Sequence, residues 1–527
     1  MAYRPAVAYN SSVSDDPDLI RVEGTDRVFR RSRILVVLLI PIAMALVAVS
    51  SINVALPTIS HTLDASDTDL QWVLSGYALT FGISLVPAGR AGDVLGRGRF
   101  FVLGLLVFSL ASLACGLAPN AELLNVSRFV QGVGAGMYNP QTMGMIQQYW
   151  HGLERAKAFA LFGLVVAFSV AVGPVLAGFI IQTFGEEIGW RATFVINFPF
   201  GLLGCFLALR WFPFGKERAR RAAKQAARAA HADGTATGAV VPALPRERVD
   251  LDPVGTVLLV LAVLCVMLPF MSGGGGAAWL LLAAGAVLVV AWVLWERRYK
   301  ARGRAPMVDL ALFSFASFSN GTAVAGTFFL GSTSIFVVVA LYMQNGLGAS
   351  ALETGLIGLP NAIVSAFASM WAGRRTMTSG RTIIIGSLTL VIAGVGLSVA
   401  VAALIERYGI SFWWLSLTLM LCGLGQGGLG AANQTLSLED VPTTYGGTAG
   451  GVKSTAERIG TAVGNAMITG VFFGFVGVGA GTGTGAWTTG FAAAYGAIVV
   501  CLLVALVAAV HDRKVSGDGP AAPAPRR

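Results

Sequence analysis

The chain has 527 residues, of which 55% are hydrophobic and only 12% charged, with a formal charge of +10. A soluble globular protein carries about 25% charged residues, so this composition, with a mean hydropathy of +0.71, excludes soluble enzymes, secreted disulfide scaffolds and disordered hubs. About 32 of the 37 Lys and Arg fall in alternate loops and the termini, which is the pattern of cytoplasmic loops in a membrane protein and not of a nucleic-acid-binding face.

Residues 1–33 are polar and end in Arg30, Arg31 and Arg33, directly before a long apolar stretch without a small-residue cleavage site. This reads as a cytoplasmic N-terminal tail leading into an uncleaved first span. Apolar runs of roughly 20 residues, each able to cross a ~30 Å hydrocarbon core as a helix, are expected near 34–57, 69–88, 100–117, 121–145, 158–182 and 191–212. After a basic loop at 213–252 come 253–271 and 278–295, then a cytoplasmic loop at 296–315. The last six are expected near 316–343, 351–372, 382–405, 411–434, 446–475 and 486–510, fourteen in all.

Loop charge agrees with that order. Arg90, Arg97, Arg99, Arg155, Lys157, the run Lys216 to Arg248, Arg297 to Arg304, and Arg374, Arg375 and Arg381 fall on one side; Asp64, Asp67, Glu122, Glu186, Glu187 and Glu353 fall on the other. Arg191 and Arg407 dissent, and both touch span ends. An even number of spans puts the tail 511–527 in the cytoplasm as well. The stretch KERARRAAKQAARAAHA in the basic loop has high helix propensity and reads as a solvated linker helix or one lying on anionic headgroups. Residues 253–295, two plain spans around a GGGG turn, look like a hairpin inserted between two six-span halves, 34–212 and 316–510. Cys115, Cys205, Cys265, Cys422 and Cys501 sit inside expected spans, and the four His are far apart, so no disulfide and no metal site is expected.

Several segments carry more than hydropathy. GRAGDVLGRGR (89–99) joins glycines that permit a tight turn to Asp93, which can sit at another helix's positive N-terminus. GRRTMTSGR (373–381) echoes it in the second half without the Asp. Arg128 lies inside the otherwise apolar RFVQGVGAGMYNP (128–140), where a charge must be paired or face water. GLVVAFSVAVGPVLAGF (163–179) places Gly173, Pro174 and Gly178 in one helix, and proline there removes a hydrogen bond and permits bending.

The loop at 89–99 resembles the signature loop of the major facilitator superfamily, with Gly89, Asp93, Gly96 and Arg97 matching; Arg128 resembles that family's fourth-span motif, linked there to proton coupling. Gly173, Pro174 and Gly178 resemble its antiporter motif, with Ala177 where a glycine is usual. NVALP (53–57), QWVLSGYALT (71–80), GWRATFVINFPFG (189–201), LYMQNGLGASALETGLIGLP (341–360) and GGTAGGVKSTAERIGTAVGNA (446–466) look like the fourteen-span drug:proton antiporter branch, over residues 34–510. The resemblance implies an all-α membrane protein with two pseudo-symmetric six-helix halves, a substrate site between them, and alternating access.

One departure concerns coupling: the branch usually carries an Asp in the first span, and here Ala48 stands in its place. The remaining ionisable groups are Glu457 and Arg458, with Lys453 one turn before, and Glu439 and Asp440. The i,i+4 spacing suggests a Lys453–Glu457 ion pair near the headgroups, with direct coupling through Glu457 as the alternative. Coupling by a titrating substrate, or by Arg128 exchanging partners with bound cargo, is also open.

The expected function is export of an amphipathic or lipophilic organic compound from a bacterial inner membrane, driven by the proton gradient, by a monomer needing no cofactor, metal or nucleic acid. Arg128 is expected to face the cavity and Asp93 to meet the chain near Thr444 to Thr448. Asn53, Trp72, Tyr77, Asn139, Tyr342, Gln344, Asn345, Asn433 and Gln434 are the candidate cavity lining. Export of one endogenous metabolite, or a transporter-fold sensor that moves nothing, are the alternatives. No Ser/His, paired-carboxylate or metal constellation suggests an enzyme.

Overall fold

The computed structural model describes residues 18–21, 28–214, 250–271, 276–478 and 484–516. The basic linker stretch 216–232, most of the GGGG turn and the Pro/Ala-rich tail lie outside the described residues. Almost everything described is helical. The exception, which the sequence does not signal, is a short antiparallel ribbon of β1 (Leu19–Arg21) and β2 (Val28–Arg30), with Leu19 opposite Arg30. It brings Asp18 to the start of the first helix, where its carboxylate accepts from the backbone N–H and hydroxyl of Ser32 at 2.7 and 2.8 Å. A helix whose own N-cap residue is an arginine thereby gains an acidic cap from earlier in the chain.

The first half contains α1 (Arg31–Leu63), α2 (Asp67–Leu95), α3 (Arg97–Gly116), α4 (Ala121–Tyr149), α5 (Gly152–Val195) and α6 (Asn197–Trp211). The inserted hairpin is α7 (Pro253–Met271) and α8 (Gly276–Ala301). The second half contains α9 (Ala316–Ser332), α10 (Ser334–Leu341), α11 (Ala351–Ile357), α12 (Leu359–Tyr408), α13 (Trp414–Leu436), α14 (Gly446–Val478) and α15 (Thr484–Ser516).

Three regions differ from the expected spans. The loop expected after residue 182 is one residue of broken helix: Gly185 takes φ 79°, and helix resumes at once through Glu186 and Glu187 to Val195. Ser379 (φ −144°) similarly turns the expected 373–381 loop into a break inside α12. The ninth span, expected as continuous, is instead α9, α10 and a π-helical turn at Tyr342–Gly346.

By length and apolarity, 11 segments among the described residues can cross a membrane, not the fourteen expected. Two of these run for 60 and 56 residues, Gly152–Trp211 and Glu353–Tyr408, and contain the breaks at Gly185 and Ser379. Helix α4 is not among them because its interior is polar, with Asn125, Arg128, Gln131, Gln141 and Gln147 all buried.

Packing follows two large apolar cores. One centres on Phe101, Phe108 and Tyr138 of α3 and α4, the other on Tyr342, Phe491 and Tyr495. Helix α7 lies against α2 and α14, where Leu79, Val263 and Met267 form a smaller core with Trp72 and Ile459 around it. The hairpin therefore covers a seam between the halves.

Candidate functional site

The two halves are fastened on the face that carries the basic loops. Asp93 is in the last turn of α2, which Gly96 (φ 112°) then ends so that α3 starts one residue later. Its carboxylate accepts from the backbone N–H groups of Gly447 (3.1 Å) and Thr448 (2.8 Å) and from the Thr448 hydroxyl (2.8 Å). These are first-turn amides of α14, the positive end of its dipole, where a carboxylate stabilises by about 0.3–2 kcal/mol. The expected meeting of Asp93 with residues 444–448 is therefore present in the structure.

Arg97 locks the same corner. It donates to Asp93 (2.8 Å), to the Gly144 carbonyl (2.7 Å), to the Gln148 side chain (3.0 Å) and to the Thr443 carbonyl (2.5 Å). Gln147, which the sequence reading overlooked, donates to the carbonyls of Leu438 and Val441 at 3.0 and 2.7 Å. Gly89 is required by proximity: a Cβ there would stand 2.4 Å from the Gly447 carbonyl oxygen.

The echo at 373–381 sits at the pseudo-equivalent seam, where Ser369 donates to the Ala160 carbonyl of α5 at 3.0 Å. Its missing acid is replaced from a distance: Arg381 pairs with Asp512 at 2.9 Å, and Asn320 donates to the same carboxylate at 2.8 Å. Asp512 lies where the sequence reading placed only a tail. Between these corners is Glu439. Burial, with Asp440 beside it, pushes its carboxyl above the usual range, while Arg155 and Arg381 pull it down.

Arg128 does not face an open cavity in this conformation. It is 1% exposed, with Nε donating to the Val73 carbonyl (2.9 Å) and Nη1 to Gln131 (2.5 Å), which itself donates to Ser112. The Tyr77 and Phe194 rings lie 4.5 and 5.8 Å from its guanidinium carbon. One backbone carbonyl, the Gln131 amide oxygen and two π faces satisfy the buried charge. The arginine so ties α4 to α2 and α3.

Lys453 and Glu457 also depart from expectation. Lys453 is 1% exposed and donates to Gln434 (2.5 Å), Ser437 (2.9 Å) and the Asn433 carbonyl (3.3 Å), all on or just after α13. No Lys453–Glu457 ion pair exists among the described residues, because three acceptors on the facing helix draw the amine across instead. Glu457 is partly exposed, eleven residues into the 33-residue α14 and so near its middle rather than near the headgroups. Arg458 beside it lies 5.2 Å from the Phe81 ring of α2.

The antiporter segment is used where α5 meets α1. A Cβ on Gly173 would stand 1.9 Å from the Ser50 hydroxyl and 3.0 Å from the Val47 carbonyl oxygen, whereas one on Gly178 would meet nothing within 4 Å. Ser51 donates to the Gly173 carbonyl at 2.9 Å. Ala48, in that same stretch of α1, is buried.

The expected cavity lining scatters. Tyr342 is wholly buried, packed on Phe491, and Asn433 donates to the Gly321 carbonyl (3.0 Å); both are packing elements of the second half. Gln344 and Asn345 are exposed on the π-helical turn, and Trp72 packs beside Phe129 and the hairpin core. Gln434 holds Lys453 and reaches Met143 Sδ at 2.9 Å. Tyr77 stacks on Phe81 as well as under Arg128. Asn139 is partly buried, and the Asn53 side chain lies outside the described residues. At helical spacing, residues of these types serve packing more often than binding, and the sequence alone does not say which helix face meets the seam.

Comparison with known proteins agrees with this architecture. The chain is 31% identical over 429 residues to a probable actinorhodin transporter of Streptomyces coelicolor, covering 80% of this chain and 69% of that one. It is 26% identical over 436 residues to the multidrug resistance protein Stp of Mycobacterium tuberculosis, covering 80% and 72%. Among solved structures, the human organic anion transporter MFSD10 superposes with a TM-score of 0.59 at 14% identity, covering 91% of this chain and 99% of that one. Residues 38–465 match the family model of the Major Facilitator Superfamily. A helical bundle split into two cores, fastened by the 89–99 loop and matched by that family over most of its length, belongs to the Major Facilitator Superfamily, a family of membrane transporters and not of enzymes.

Proposed function

We propose that the chain is a proton-coupled exporter of amphipathic or lipophilic organic compounds, working by alternating access across a bacterial inner membrane as a monomer with both termini in the cytoplasm. The observation that carries this reading is the Asp93 link: one carboxylate on α2 holds the N-terminus of α14 and so closes one face of the seam between the halves. Opening that face requires only a few hydrogen bonds to break, which suits a conformational switch. Fourteen crossings follow if the 60- and 56-residue segments each cross twice and α4 crosses once. About 20 residues suffice for one crossing, and each long segment breaks near its middle. The basic face then lies in the cytoplasm, and the structure represents a state closed to it.

Export is supported by the names of the relatives, a probable actinorhodin transporter and a multidrug resistance protein. Glu457, part-exposed near mid-helix beside Arg458, is the acid best placed to exchange protons across the seam in place of the absent first-span Asp. In proteoliposomes, an imposed proton gradient should drive dye accumulation by the wild type. Glu457→Gln should exchange dye without responding to the gradient. Gradient-driven accumulation by Glu457→Gln would remove Glu457 from coupling.

A dedicated role is favoured by one observation, the similarity to a transporter named for actinorhodin. Competition of dye transport by extracts of the producing cell, compared with unrelated synthetic compounds, separates a narrow exporter from a broad one.

A further inference from the structure

At the basic end of the inserted hairpin, two acidic side chains are buried side by side with no cation paired to either among the described residues. Asp252 is 0% and Glu296 1% exposed. Asp252 caps α7: its Oδ1 accepts from the Gly255 N–H (2.9 Å) and the Trp295 indole N–H (2.9 Å). Glu296 Oε1 accepts from the Val308 N–H at 3.4 Å, in the connection that leads to α9. The other oxygen of each group, Asp252 Oδ2 and Glu296 Oε2, is buried without a hydrogen-bond partner. The two carboxyls converge on Gly255, where a Cβ would stand 2.4 Å from Asp252 Oδ2 and 3.0 Å from Glu296 Oε1.

None of the surrounding charges pairs with either carboxyl among the described residues. Tyr299 and the Ala305 N–H donate to Asp250 (2.7 and 3.3 Å), and Arg304 lies over the Tyr299 ring at 5.4 Å. Lys300 pairs with Asp309 at 2.6 Å. Arg90 of α2 reaches the Asp250 carbonyl at 3.4 Å, and from α7 Thr256 donates to Met307 Sδ at 3.0 Å. The Met307 N–H faces the Glu296 carboxyl, as does the Trp292 indole N–H one turn before it. Donation from either would still leave two anions in a dry site.

Two adjacent buried carboxylates cannot both ionise without severe repulsion, and a single proton placed between them turns two orphan acceptors into one hydrogen bond. We propose that Asp252 and Glu296 form a proton-binding site that shares one proton between the two carboxyls and fastens the base of the hairpin. With the proton bound, α7, α8 and residues 307–309 are clamped beside Arg90, the neighbour of Gly89 near the end of α2. Loss of the proton leaves two anions whose repulsion forces the carboxyls apart and strains the segments at Gly255 and Val308 that each one holds. The site stands independently of how transport is coupled.

The test is an infrared pH titration of the full chain in nanodiscs, with no added divalent cation. The wild type should show a protonated-carboxyl carbonyl band at neutral pH that Glu296→Gln lacks. In Asp252→Asn the band should persist only to a pH lower by about one unit or more, because the neighbouring charge is gone. Protection of the Gly255 and Val308 amides, taken relative to the intrinsic exchange rate at each pH, should fall as the wild-type band titrates away and stay constant in Glu296→Gln. If one variant fails to fold, the other decides. Identical carbonyl bands in wild type and Glu296→Gln, or a titration unmoved by Asp252→Asn, overturn the proposal. A wild type without the band, whose melting temperature rises on adding Na+, Mg2+ or Ca2+ while that of Glu296→Gln does not, overturns it in favour of a cation.

Discussion

Asp93 concentrates the link between the halves in one side chain, since three donors of α14 converge on it and Arg97 holds it from behind. Asp93→Asn removes the charge while keeping the shape. A loss of about 0.3–2 kcal/mol at a helix N-terminus changes a two-state equilibrium roughly two- to thirty-fold. The variant should express normally, melt within a few degrees of wild type and lose most of its flux. Wild-type flux would show that the link does not control the cycle. Arg128 behaves differently, because its partners are the Val73 carbonyl, Gln131 and two rings. Each charged hydrogen bond lost costs about 1.5–3 kcal/mol, so Arg128→Ala should lower the detergent melting temperature strongly. Arg128→Lys should lower it less, since Lys keeps the charge, but still lower it, because Lys lacks the planar fork that serves both acceptors. An unchanged melting temperature in Arg128→Ala would contradict this. Asp93 was legible in the sequence because the residues that shape its turn lie within a few positions of it. The surroundings of Arg128 and Lys453 were not, because their partners come from other helices, 55 positions away for the Val73 carbonyl, and an i,i+4 spacing does not reveal a stronger acceptor on a facing helix.

Among the elements, α5 shows how small residues divide their roles. Gly173 admits α1 to within contact of its backbone, and Gly178 faces open space. Gly173→Val should force α1 and α5 apart, costing about 1–3 kcal/mol by overpacking, and should reduce flux at least several-fold. Gly178→Ala should transport like wild type, and equal loss of flux in both variants would show that the motif acts through flexibility rather than through the α1 contact. Most helices were legible from hydropathy to within a few residues, because burial in lipid demands long apolar runs. The breaks at Gly185 and Ser379 were read as loops, since their polar flanks look the same in sequence whether the chain leaves the helix for one residue or for many. The ribbon at β1 and β2 gave no periodic signal, being three residues per strand. Asp512 escaped notice because it follows the apolar run of α15, yet it supplies the acid that the 373–381 loop lacks.

At the scale of the molecule, two packed halves are joined on the basic face by Asp93, Arg97 and Gln147, with the hairpin laid over the seam between α2 and α14. Such a seal is useful to an exporter only if its opening is tied to an energy source, and proton coupling is the central claim. The decisive measurement is efflux of a neutral lipophilic fluorophore from proteoliposomes of uniform orientation, with and without a pH gradient. Proton-coupled export predicts that acidifying the side opposite the basic face accelerates movement of the fluorophore toward that side, and that a protonophore or Asp93→Asn abolishes the acceleration. Fluorophore movement by the wild type at the same rate with and without the gradient would contradict it.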